Sequence, residues 1–128
     1  MILLDENTLR SQRESLEARR LPVRKVGLSW GREGMSDEEI LARLKQERNL
    51  TFFTRDAGLY RPLHCHPSYC LAVVHAPADS LAAFVLKLLR HPRFKTHAQR
   101  MGKVLRVQHS GIVYWERNAS REIYADWT

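Results

Sequence analysis

Short apolar runs alternate with amphipathic stretches along this chain. Ile2-Leu3-Leu4 is apolar and stops at Asp5-Glu6-Asn7. Such a run reads as a buried strand whose carboxyl end delivers a carboxylate to a sheet edge. Leu50-Thr51-Phe52-Phe53-Thr54 repeats the pattern and closes on Arg55-Asp56. Val23 to Val26 predicts a short strand. The continuous apolar run Cys70 to Val74 suits a central strand buried on both faces. Val104–Val107 and Ile112–Trp115 predict two more strands, joined by a turn at Ser110-Gly111.

The stretches between have helical spacing. Thr8 is a candidate N-cap for a helix reaching Arg20, with Leu9 and Leu16 on one narrow apolar stripe and Pro22 ending it. A loop from Gly27 to Met35 leads to Ser36-Asp37-Glu38-Glu39, a capping box that opens a second helix. Pro77 precedes a third helix, from about Ala78 to Arg90, whose Leu81, Phe84, Val85, Leu88 and Leu89 line one face until Pro92 stops it. Arg93 to Met101 is basic and polar, with room for a short helix, and the tail after Asn118 has no clear pattern. Strands separated by helices predict an α/β fold. Its sheet should be mainly parallel, with right-handed crossovers and the last two strands forming a hairpin at one edge. No linker or repeat divides the chain, so residues 1–128 are expected to form a single domain.

Composition narrows the function classes. The 128 residues are 44% hydrophobic, enough for a core, yet no apolar run approaches the ~18 residues of a membrane span. Asp5 interrupts the first apolar run too early for a signal peptide. The expectation is a soluble, cytoplasmic protein with no membrane partner. There Cys65 and Cys70 would stay reduced. The net charge of +7 favours a phosphate-bearing partner; a basic surface serving solubility, or an acidic protein partner, is the plain alternative.

The candidate chemistry lies in the acids. Asp5 ends the first strand, Asp37 and Glu38 open the second helix, and Asp56 follows the third strand. A parallel sheet places all of them at one end, where sites form in open α/β folds. Converging carboxylates repel unless a cation sits between them, and oxygen-only ligands suit Mg²⁺ or Mn²⁺. Such an ion can activate water against a phosphodiester. Each acid also has a bland reading: Asp37 and Glu38 as first-turn acids favoured by the helix dipole, Asp5 and Asp56 as caps.

Other residues carry weaker signals. His64, Cys65, His66, Cys70 and His75 are zinc-ligand types whose spacing fits no standard finger, which favours loop histidines and partly buried thiols. Arg10, Arg13, Arg55 and Arg61 are candidates for phosphate contacts, Arg55 best placed because Thr54 and Asp56 flank it. Trp30 and Tyr60 fall in loops, where an aromatic either stacks on an unpaired base or packs over the core edge.

The blocks Leu3-Leu4-Asp5-Glu6-Asn7, Ser36-Asp37-Glu38-Glu39-Ile40-Leu41 and Thr54-Arg55-Asp56 resemble the signature blocks of the compact PIN-like proteins, and the resemblance covers most of the chain. It implies a three-layer α/β/α fold and a metal-dependent ribonuclease, the toxin of a prokaryotic toxin–antitoxin pair. Asp5, Asp37 and Asp56 would be the catalytic, metal-holding acids, with Glu38 or Asp79 as a further ligand. Thr54 would orient Asp56, Asn7 would support the site, and Arg55, Arg61 and Arg10 would bind RNA. The implied cofactor is Mg²⁺ or Mn²⁺. The implied partners are an RNA substrate, a small antitoxin protein and a second copy of the chain. Two alternatives stand beside this: a catalytically inactive PIN-like module that binds RNA or protein, and a phosphoacceptor receiver domain. The receiver needs a small hydroxyl residue after the fourth strand and a lysine after the fifth. Here His75-Ala76 and Gln108-His109 occupy those places.

Overall fold

The computed structural model describes all 128 residues. Seven strands form one sheet in the order β2-β1-β3-β4-β5-β6-β7. They are β1 (Ile2–Leu4), β2 (Val23–Lys25), β3 (Leu50–Thr54), β4 (Tyr69–His75), β5 (Val104–Gln108), β6 (Gly111–Trp115) and β7 (Ile123–Ala125). The pairings from β2 through β5 are parallel; β6 and β7 are added antiparallel. The helices are α1 (Arg10–Glu17), α2 (Asp37–Gln46), α3 (Leu81–Arg90) and α4 (His97–Arg100).

Strand alternation sorts the core onto two faces. On one face Ile2, Leu4, Phe53, Ala72, Val74, Leu105 and Val107 pack with Leu16 of α1 and Leu81, Val85 and Leu88 of α3. On the other, Leu3, Leu50, Phe52, Leu71, Val73 and Val104 meet Ile40 and Leu44 of α2. Helices therefore lie on both sides of the sheet. β4, apolar without interruption, is buried along Tyr69–Val74 because each face has its own helix layer to meet.

Several predicted features take a different form. The first helix is shorter: Leu9 occupies the N-cap without a side-chain cap, because the Thr8 hydroxyl instead donates to Asp5 Oδ1 at 3.2 Å. The third begins with a 3₁₀ turn, Ala78–Ser80, before α3. The β5–β6 hairpin does not form the sheet edge. The patternless tail supplies β7, which pairs with β6 through Ile112↔Ala125 and Tyr114↔Ile123. Three residues are too few to display an alternation, so only the neighbouring strand's backbone defines that strand. Trp30 is a core residue: it is buried, bonds Glu47 Oε2 through its indole N–H at 2.6 Å, and carries the Arg43 guanidinium over its ring at 4.4 Å. It offers no ring face to a base.

Candidate functional site

Parallel pairing of β1 with β3 sets Leu4 beside Phe53, so Asp5 and Thr54 emerge together at the carboxyl end of the sheet. Asp5 is held at both carboxylate oxygens. Oδ1 accepts the Asn7 amide at 3.0 Å and the Thr8 hydroxyl, and Oδ2 accepts the Thr54 hydroxyl at 2.7 Å. The Thr54 hydroxyl in turn accepts the Asp56 amide at 3.1 Å. The expectation that Thr54 orients the Asp56 carboxylate is thus replaced: Thr54 orients Asp5 and pins the Asp56 backbone. Asp56 Oδ1 caps the following 3₁₀ turn, Ala57–Leu59, through the Gly58 amide at 2.9 Å. Its capping role is therefore real and occupies one of its two carboxylate oxygens.

Asp37 joins them from the N-terminus of α2. The capping box forms as predicted, with the Glu39 amide donating to Ser36 Oγ and the Ser36 amide to Glu39 Oε1, each at 3.2 Å. The Asp37 carboxyl is held above its ordinary value. Loss of water around it is the largest cause, although the residue as a whole is exposed; a hydrogen bond with Asp56 and the charges of Asp56 and Asp5 push the same way. Asp37 therefore feels the charges of both other acids, as carboxylates that crowd one space do. His64 opposes them. Its Nδ1 lies 2.9 Å from the Leu59 carbonyl, which can only accept, so Nδ1 carries the proton.

A cleft of about 240 Å³ opens here, lined by Asp5, Asn7, Thr8, Thr54, Arg55 and Asp56, with Leu9, Ala78 and Leu81 on its apolar side. Arg55 is steadied by its Nε–H donating to the Ala76 carbonyl at 2.8 Å. Asn7 reaches the site through both its backbone and its place in the wall. Arg61 stands just outside, its Nε–H bonded to the Gly58 carbonyl at 3.2 Å on the turn that Asp56 caps. Arg10 lies apart, in a neighbouring cleft with Arg13 and Lys25, and pairs with Glu14 at 3.5 Å. Glu38 is exposed in the first turn of α2, and Asp79 is exposed in the 3₁₀ turn whose Ala78 lines the cleft.

Two contributors escaped the sequence. Glu6 accepts the Gly34 amide at 2.8 and 3.2 Å through its two oxygens, fastening the loop that delivers Asp37; Gly34 has φ of 77°, which suits glycine. The acid immediately after Asp5 was its only visible signal. His64 approaches Asp37 across 27 residues of chain, and nothing local announces that meeting.

The donor set, three carboxylates from three elements, is of the type that holds Mg²⁺ or Mn²⁺. No group of three or more His, Cys, Asp or Glu side chains is arranged as a ligand set. Asp56 and Asp5 raise the Asp37 carboxyl, and both oxygens of Asp5 are already accepting hydrogen bonds. Asp37 and the second oxygen of Asp56 are the parts left to turn toward an ion. The zinc-type residues are dispersed: Cys70 is buried in the core, His66 stacks on Tyr69 with centroids 5.6 Å apart, and His75 is exposed at the end of β4. The chain matches no protein-family model, no curated protein and no solved structure. No helix is long and apolar enough to cross a membrane.

Proposed function

We propose that this protein is a PIN-like, metal-dependent endoribonuclease of the cytoplasm, the toxin of a toxin–antitoxin pair. The observation that carries the reading is the meeting of Asp5, Asp37 and Asp56 beside Arg55 at the carboxyl ends of parallel strands. Asp5, Asp37 and Asp56 would hold Mg²⁺ or Mn²⁺. When bound, such an ion lowers the pKa of a water and offsets charge developing on the phosphate.

The chain's own groups do the rest. Asp5 is fixed by Asn7, Thr8 and Thr54, so its position is set before substrate arrives. Arg55 faces the cleft with its remaining N–H groups free for a non-bridging phosphate oxygen, and Arg61 extends the positive rim. The Asp37 carboxyl, raised by loss of water and by its acidic neighbours, is the acid an incoming cation would act on most. The site does not favour the receiver alternative, since β5 ends at Gln108 with His109 following.

Cleavage of a labelled single-stranded RNA in Mn²⁺, wild type against Asp5→Asn and Asp56→Asn, tests the reading. Both variants should lose activity by orders of magnitude while keeping the wild-type circular dichroism spectrum. Folded variants as active as wild type would overturn it. An inactive wild type that still binds RNA would move the protein to the binding-module alternative. Growth arrest on expression, relieved by a co-expressed small protein, tests the toxin role separately.

A further inference from the structure

The face of the sheet that carries Thr54 is covered by α2 only over part of its width. The apolar cluster under α2 draws Leu3, Phe52, Leu71, Val73 and Val104 from β1, β3, β4 and β5, and nothing from β6 or β7. Beyond it the same face shows Arg106, Val113 and Tyr124. One line of paired residues crosses this face: Thr54↔Val73, Val73↔Arg106, Arg106↔Val113 and Val113↔Tyr124. It runs from the hydroxyl that holds Asp5 to the sheet edge, four strand spacings or roughly 19 Å.

Tyr124 is 54% exposed yet fixed. Its hydroxyl donates to the Ser110 carbonyl at 2.6 Å. Its ring lies across Gly111, where an added Cβ would fall 2.9 Å from the hydroxyl oxygen and 3.1 Å from Cε1. The ring thus lies against a residue without a side chain, anchored at its hydroxyl and more than half exposed. Nearer the acids, Tyr60 lies under the Arg106 guanidinium at 4.9 Å, and its hydroxyl occupies Glu122 Oε2 at 2.6 Å. Arg106 Nε is buried and has no partner within the protein.

We propose that Tyr124 and Arg106, the latter propped on the core-packed Tyr60 ring, form a stacking platform for unpaired bases of the single-stranded RNA that reaches the acidic cluster. A flat, immobilised aromatic ring suits the π-face of any base, and an arginine plane adds stacking and charge. The occupant is an anion rather than an apolar protein surface, because the platform carries an arginine, the nearby Glu122 is already engaged, and the chain is +7 overall. A duplex would not serve, since its bases are already stacked. The inference rests on the nucleic-acid half of the proposed function and not on cleavage.

The test measures binding of a fluorescent RNA oligonucleotide in EDTA, single-stranded and as a duplex, to Asp5→Asn protein with and without Tyr124→Ala. The single strand should bind tighter than the duplex. Tyr124→Ala should weaken single-strand binding by about tenfold or more, and leave the salt dependence unchanged because no phosphate contact is removed. Tyr124→Leu keeps apolar cover over Gly111 but lacks the π-face, and should lose the same affinity, which guards against a folding effect of the alanine. Unchanged affinity in both variants would overturn the platform, as would equal binding of duplex, or a Tyr124-dependent dimer in light scattering, which would assign the face to a second copy. Wild type that cleaves RNA while the Tyr124 variants bind normally would remove the platform and leave the nuclease. Tyr124-dependent binding by a wild type that never cleaves would do the reverse.

Discussion

The Thr54 hydroxyl donates to Asp5 Oδ2 at 2.7 Å, tying the carboxyl ends of β3 and β1 together at the site. The same oxygen accepts the Asp56 amide, so a side chain only 3% exposed positions two of the three acids. Removing that hydroxyl takes a partner from both the carboxylate and the amide at once.

Thr54→Val keeps the shape and deletes the hydroxyl, leaving a partly buried amide and one carboxylate oxygen without their partner. The expected loss is about 1–3 kcal/mol of stability, read as a lower urea midpoint at unchanged slope. Thr54→Ser retains the bonds and should lose much less. Equal losses for the two would show that the hydroxyl does not hold the site.

Asp37 gives a pH dependence with a definite sign. Its carboxyl is raised in the folded protein, first by loss of water and then by Asp56 and Asp5, so the folded state binds its proton more tightly than the unfolded chain does. Stability therefore falls as pH rises from the ordinary aspartate range through the raised value, and the deficit persists above it. Asp37→Asn removes the deficit. In EDTA it should melt above wild type at pH 7, and the difference should close as the pH approaches 3. A variant that melts below wild type at neutral pH would mean that Asp37 is a helix-start residue and not a member of a repelling cluster.

A divalent ion should stabilise wild type more than Asp5→Asn. Mn²⁺ binding only the folded state raises the melting temperature, by about 2.7 kcal/mol of stability at a concentration 100 times its Kd. Wild type should show the rise in differential scanning calorimetry, and Asp5→Asn should show much less. Identical shifts in both would place the ion elsewhere.

Arg55 is a phosphate ligand on this reading, not a scaffold residue. Arg55→Ala should weaken RNA binding at every sequence and make the plot of log affinity against log salt shallower by about one unit. A weakened affinity with an unchanged slope would assign the effect to the lost bond with the Ala76 carbonyl instead.

Much of the framework was legible in the chain. The strands β3, β5 and β6, the capping box at Ser36 and the apolar face of α3 depend on local periodicity and caps, which residues a few positions apart impose on one another. Acids at strand ends and a helix start also follow from that pattern, and with parallel topology so does their arrival at one end of the sheet. The residues that respond to them were not legible. Thr8 turns from the expected cap to Asp5, Trp30 goes into the core, Glu6 reaches Gly34, and His64 comes near Asp37. Tyr124 finds its place only because β7 pairs with β6 beside Gly111. Backbone preference and apolar spacing act within a few residues, so the alternation of strands and helices could be read along the chain. Which polar groups meet is settled only once the chain has packed. A hydrogen bond or a charge contact is made across space between segments far apart in the chain, and its partner is chosen by the packing that brings those segments together.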